Sequence, residues 1–255
     1  MDIACSTLVF AQEPLDVALR RIGELDFSRA DFALYPGSPQ ATPEEAASDS
    51  AAIVARVRRG PSIGIAALTA EIAGDGEEFF RQLDGVAHLA KQLACVLVTV
   101  PAAAIDAPLP AEADRLARVV RACLAHGVVA CVPTRLGTLA ESPDSARKLC
   151  ELVPGLGLTL DPTAFVAQNA DRGNLDSLFG LVRHVQLRDS GRGHEHRQVA
   201  IGRGEIDYSR IVQGLERVRY RGALTAAMDS RIATDIDVPV EARKLGRVLE
   251  SMLKT

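Results

Sequence analysis

Residues 76–132 read GEEFFRQLDGVAHLAKQLACVLVTVPAAAIDAPLPAEADRLARVVRACLAHGVVACV, and the order of patterns in this stretch decides the fold. Phe80, Leu83, Val86, Ala87 and Ala90 recur at the spacing of one helical face, which predicts a helix over 76–94 with an apolar stripe turned to a core. Cys95 to Val100 then runs without a charge. A strand covered on both faces, as in a parallel sheet, has this composition. A second helical pattern spans Ala111 to His126, and Gly127 behind it supplies a C-cap. Val128 to Val132 is again a short apolar run. Two strands separated by a helix are parallel neighbours joined by a crossover, because a hairpin has no room for the helix.

The same alternation continues in both directions. Toward the N-terminus, a strand is predicted over Ile3 to Phe10, and Pro14 opens a helix carrying Leu15, Ala18, Leu19 and Ile22. A strand over Ala30 to Tyr35 ends at Pro36-Gly37. Thr42-Pro43-Glu44-Glu45 is a helix start: a capping hydroxyl, proline at the first position, and acids facing the positive helix end. That helix runs to Arg59, and a strand follows over Ser62 to Leu68. Toward the C-terminus, Ser142-Pro143-Asp144 caps a helix that ends near Val153, and Leu156 to Leu160 is a strand. A weaker helix follows over Asn174 to Leu181, then a strand over His184 to Leu187 and a polar loop over Ser190 to Gly204. A helix over Tyr208 to Val218, a strand over Ala223 to Ala227 and a helix over Val238 to Leu253 complete the pattern. Eight strand-then-helix units with no linker, repeat or low-complexity tract predict one α/β domain over residues 1–255, closed as a (β/α)₈ barrel. An open doubly wound sheet would want GxGxxG after an early strand. Neither Ser6-Thr7 nor Pro36-Gly37-Ser38 supplies it.

Bulk composition narrows the function. With 255 residues, 47% of them hydrophobic, the chain can bury a large core. A net charge of -4 leaves no electrostatic footprint for nucleic acid or an anionic membrane. No Trp, three Tyr and seven Phe are too few for a site that stacks bases or sugar rings on several aromatics. Five cysteines without a CxxC pair predict reduced, buried thiols. No apolar stretch reaches the ~18 residues of a membrane span, and Met1 to Cys5 lacks the basic opening of a secretory signal. The expected compartment is the cytoplasm.

A barrel of this kind carries its chemistry at the C-terminal ends of its strands. The polar residues there are Glu71, Arg135, Asp161, Gln186, Arg188, Asp189 and Asp229. Asp161 reads two ways, as a metal or substrate contact or as a cap before Pro162. Asp189 beside Arg188 reads as a structural ion pair, and the two arginines at 135 and 188 suit a phosphate or carboxylate. The tract from Gly191 to Arg197 holds His194 and His196 around a Glu, a composition shared by metal tracts and by solvated loops. His184 is expected low in the barrel wall, in a core hydrogen bond. His88 and His126 fall on helices away from the mouth.

Three segments carry a family resemblance: Gly155-Leu156-Gly157-Leu158-Thr159-Leu160-Asp161-Pro162, Val182-Arg183-His184-Val185-Gln186-Leu187-Arg188-Asp189, and Val199 to Asp207 with its GxGxxD turn. With Leu136-Gly137-Thr138 and Tyr220 to Leu224 they cover roughly 128–230, and this part of the chain resembles the sugar phosphate isomerase/epimerase family of xylose isomerase-like TIM barrels. The resemblance implies a divalent metal held by Glu, Asp, His and Glu at the ends of strands five to eight. At those positions this chain has Pro133, Asp161, Gln186 and Ala227, and Ala164 stands where the family has a second His. One ligand of four survives. The two missing Glu would also shuttle the proton α to a carbonyl, and a positioned base contributes ~10²–10⁴-fold to such a step.

The resemblance therefore implies a barrel that needs no cofactor and is catalytically silent or altered. It would bind a small polar molecule, such as a sugar or sugar phosphate, through Arg135, Asp161, Gln186, Arg188 and Asp189. The alternative is an active isomerase or epimerase with Mn, Mg, Zn or Co held by Asp161, Asp189, Asp229, His194 or His196. No catalytic residue is assignable from the sequence in either case. Because related barrels often pair, a homodimer is the expected assembly.

Overall fold

In a computed structural model, which describes residues 1–168, 172–193, 196–232 and 235–254, each predicted apolar run becomes a strand. These are β1 (Asp2–Ser6), β2 (Arg29–Leu34), β3 (Gly64–Ala70), β4 (Leu97–Thr99), β5 (Val129–Pro133), β6 (Gly157–Leu160), β7 (Val182–Leu187) and β8 (Ala223–Ala226). They pair in chain order, all parallel, and β1 pairs with β8 through Asp2–Ala223, Ile3–Leu224, Ala4–Thr225 and Cys5–Ala226, which closes the ring. The predicted (β/α)₈ barrel is the observed fold.

The helices are α1 (Leu15–Glu24), α2 (Pro43–Arg59), α3 (Gly76–Gln92), α4 (Leu109–Ala125), α5 (Pro143–Leu152), α6 (Thr163–Ala167), α7 (Tyr208–Arg217) and α8 (Val238–Leu253). Their starts follow the capping chemistry of the sequence. Thr42 Oγ1 accepts from the Glu45 amide at 3.0 Å, and Ser142 and Ser145 bond reciprocally in a capping box. Apolar faces of the helices pack on the outer wall of the sheet, where Leu15, Leu19, Ile22, Ile53, Leu83, Leu89, Leu116, Leu149 and Leu245 are fully buried. Among the described residues no helix is long and apolar enough to cross a membrane.

Three expectations shift. The strand predicted to reach Phe10 leaves the sheet at Ser6, and Thr7–Phe10 forms a 3-10 turn. Local bonds cause this: Ser6 accepts from the Leu8 amide, and Thr7 Oγ1 accepts from Ala33 on β2. The third strand runs Gly64–Ala70, two residues beyond the predicted register, because Ser62 and Ile63 lie outside the ladder. The helix predicted over Asn174 to Leu181 is replaced by the short α6 and 3-10 turns at Arg172–Ser177 and Phe179–Leu181.

Polar side chains fill the upper barrel interior. Thr99 and Thr159 meet at 2.7 Å from β4 and β6, and His184 and Gln186 of β7 reach Asp31 of β2. These strands are not neighbours in the ring, so the contacts cross its interior.

Candidate functional site at the barrel mouth

Above this polar layer lies a cavity of about 350 Å³ at the C-terminal ends of the strands. Pro133, Asp161, Gln186 and Ala227, drawn from four consecutive strand ends, all line it, together with Ala164. Four arginines, Arg135, Arg188, Arg197 and Arg231, share the wall with three carboxylates, Glu71, Asp161 and Asp229.

Each of these carboxylates faces a guanidinium. Arg135 Nη1 lies 3.0 Å from Glu71 Oε1, and both side chains are about half exposed. Arg231 grips Asp229 through Nη2 at 2.7 Å and Nε at 3.0 Å. Its guanidinium rests 4.3 Å from the Tyr35 ring centroid, and the bonded Asp229 carboxylate raises its pKa further above the ordinary arginine value. Arg188 pairs with Asp161, donates from Nε to Thr163 Oγ1 at 3.3 Å, and from Nη1 to the Ala227 carbonyl at 3.4 Å. The other Asp161 oxygen accepts from the Thr163 amide at 3.0 Å. Asp161 thus faces the cavity and also anchors the backbone of the turn into α6.

The expected pair between Arg188 and Asp189 does not form. Successive residues at the end of a strand point to opposite sides, so Arg188 turns to the mouth and Asp189 away from it. Asp189 is 2% exposed, and its carboxylate accepts from the amides of Gly202 at 2.7 Å, Gly204 at 3.1 Å and Ser190 at 3.1 Å. It staples the loop that follows β7. A Cβ at Gly204 would sit 2.1 Å from Asp189 Oδ1, so the staple needs glycine there. Of the remaining candidates, His196 is exposed with Nδ1 at 3.0 Å from the Arg192 carbonyl, and His194 lies outside the described residues.

Beneath the cavity, Asp31 gathers three donors: Thr69 Oγ1 at 2.8 Å, His184 Nε2 at 2.9 Å and Gln186 Nε2 at 2.7 Å. His184 is fully buried in a core hydrogen bond, as expected. Asp31 has no place among the sequence candidates, although a charge inside the apolar run Ala30-Asp31-Phe32-Ala33-Leu34 is a signal for it. Thr69, Thr163 and Arg231 are further cavity residues the sequence reading passed over.

The positions do not fit the metal that the resemblance implies. Pro133 and Ala227 offer no side-chain donor, and Asp161 is covered by Arg188. Among the described residues no group of three or more His, Cys, Asp or Glu stands close enough to hold a metal ion.

A family model described as xylose isomerase-like TIM barrel matches residues 34–251. No curated protein matches the chain by sequence. Solved structures share its whole extent. A xylose isomerase domain protein from Alicyclobacillus acidocaldarius is 19% identical with a TM-score of 0.75, covering 100% of this chain and 98% of its own. A D-tagatose 3-epimerase-like protein is 19% identical with a TM-score of 0.74, covering 100% and 97%. A xylose isomerase-like TIM barrel protein from Mycobacterium smegmatis, solved in complex with magnesium, is 16% identical with a TM-score of 0.75, covering 99% and 97%. At these identities the likeness is one of fold.

Proposed function

The chain belongs to the xylose isomerase-like TIM-barrel family, and from that premise we propose that it binds a small anionic polyol, such as a sugar phosphate, at the barrel mouth without a divalent metal and without the proton-shuttling chemistry of sugar isomerases. The observation that carries this reading is the position of Arg188. Its guanidinium bridges Asp161 at the end of β6 and the Ala227 carbonyl at the end of β8, between two of the positions that correspond to metal ligands. A fixed cation there neutralises Asp161 and leaves donors for an incoming oxyanion. Proton abstraction next to a carbonyl needs a carboxylate or imidazole within hydrogen-bond reach of the substrate. Asp161, Asp229 and Glu71 are each engaged by an arginine, and Asp189 is spent on its loop. The sugar class follows from neighbours named as sugar epimerases, such as the D-tagatose 3-epimerase-like protein.

The test has two arms. Purified protein analysed for Mn, Mg, Zn and Co should carry far less than one ion per chain, and one tightly held ion per chain overturns the reading. Titration calorimetry with D-glucose 6-phosphate should detect binding that Arg188→Ala weakens about 10- to 100-fold, the worth of lost hydrogen bonds to a charged group. Deuterium entering the α-position of a ketose incubated with the protein in D₂O would restore the alternative of an active isomerase.

A further inference from the structure

The mouth continues into a second hollow. A groove of about 720 Å³ lies beside it, between the loops that follow β3 and β4 and the N-terminal turns of α3 and α4. Glu71, Pro101 and Arg135 belong to both, so the two spaces share a wall. That wall carries the exposed Arg135–Glu71 pair.

The groove is chemically unlike the mouth. Phe79, Val100 and Ala102 form a buried apolar floor. Flat cations lie over its phenyl rings: Arg118 is 3.8 Å from the Phe80 centroid and Arg115 is 5.1 Å from that of Phe79. Arg115 is fixed from behind by the buried Glu112 through two bonds of 2.7 Å, and the exposed Glu77 accepts from Arg118 at 3.1 Å. A surface of rings and guanidinium planes over an apolar floor takes up a planar aromatic group. The mouth is small among ligand cavities, which span ~300–1,000 Å³, and suits a compact head group alone.

We propose that the ligand is bipartite: an anionic polyol seated in the barrel mouth, and an aromatic group attached to it that lies in the groove against Phe79, Phe80 and Arg118. This assignment rests on the mouth being the polyol site. The probes are D-glucose 6-phosphate, which has the head alone, and 4-nitrophenyl β-D-glucopyranoside 6-phosphate, which adds the aryl group. The aryl probe should bind about tenfold more tightly, the return expected for burying one ring. Ala111 is exposed on α4 at the groove wall, so Ala111→Trp should fold normally and fill the groove. It should abolish the aryl advantage and leave the affinity for D-glucose 6-phosphate unchanged, and Arg118→Ala should reduce the same advantage. Equal affinities for the two probes, or an advantage that survives in Ala111→Trp, overturns the groove assignment and leaves the mouth reading standing. Failure of both probes to bind overturns the mouth reading and the groove assignment together.

Discussion

Removing the Asp31 carboxylate would strip His184, Gln186 and Thr69 of their shared acceptor at once. All of this happens where water does not reach, since Asp31 and His184 are both 0% exposed. Stranding the partners of a buried charge costs about 3–5 kcal/mol. Urea denaturation of Asp31→Ala should show a loss of that size, with Asp31→Asn, which keeps one acceptor oxygen, losing less. A loss under about 1 kcal/mol would mean that solvent replaces the carboxylate and that the network is not what orders this layer. Gln186 is the link upward, because the bonds that fix its amide below set how it faces the cavity above. Asp31 was legible only as an oddity, a charge in an apolar strand. Its partners lie 153 and 155 residues away on β7, and no local pattern names them.

Helix starts were readable because their chemistry is complete within four residues. Ser142 accepts from the Ser145 amide at 3.2 Å, and Ser145 returns a bond to the Ser142 amide at 3.2 Å. Substituting the cap should cost about 1 kcal/mol. Ser142→Ala should therefore lower the urea midpoint measurably, and Ser145→Ala, which leaves the Ser142 hydroxyl in place, should lower it less. Equal effects would mean that the two bonds are not separate caps. Short elements escaped the same reading. Five residues, Thr163–Ala167, make little more than one turn and cannot display a 3.6-residue period. The apolar alternation beyond Ser6 likewise continued into a 3-10 turn, because hydroxyl-to-amide bonds outcompeted the ladder there. The pairing of Arg188 with Asp189 failed for a geometric reason: adjacency in sequence at a strand end is opposition in space.

Across the whole molecule, closing the ring buries all five cysteines as free thiols, and their burial has a consequence for pH. Burial pushes Cys123 and Cys131 up to about 12, Cys95 and Cys150 up to about 11, and Cys5 higher still. An exposed thiol in the unfolded chain ionises near 8.5. Between about pH 9 and 11 the unfolded state therefore binds fewer protons than the folded state, and stability falls as pH rises, by up to about 1.4 kcal/mol per unit for each thiol. Buried Tyr208 and partly buried Tyr220 shift in the same direction. Urea midpoints should be flat from pH 7 to 8.5 and fall steeply above 9. Cys123→Ala should show a shallower alkaline slope even though its cavity lowers stability at pH 7, and an unchanged slope would show that other groups govern the loss. At this scale the division between sequence and structure is sharp. Hydrophobic periodicity, caps and turn residues act between near neighbours, so the sequence alone determined the eight strands, every long helix between them, the barrel they close into and the residues standing at each strand end. Which arginine meets which carboxylate, that Asp189 binds its own loop, that Asp31 ties β2 to β7 and that the mouth opens into a groove beside α3 and α4 were decided only by the tertiary structure. Those relations join residues far apart in the chain, and they exist only once the ring has closed and fixed the stagger between its strands.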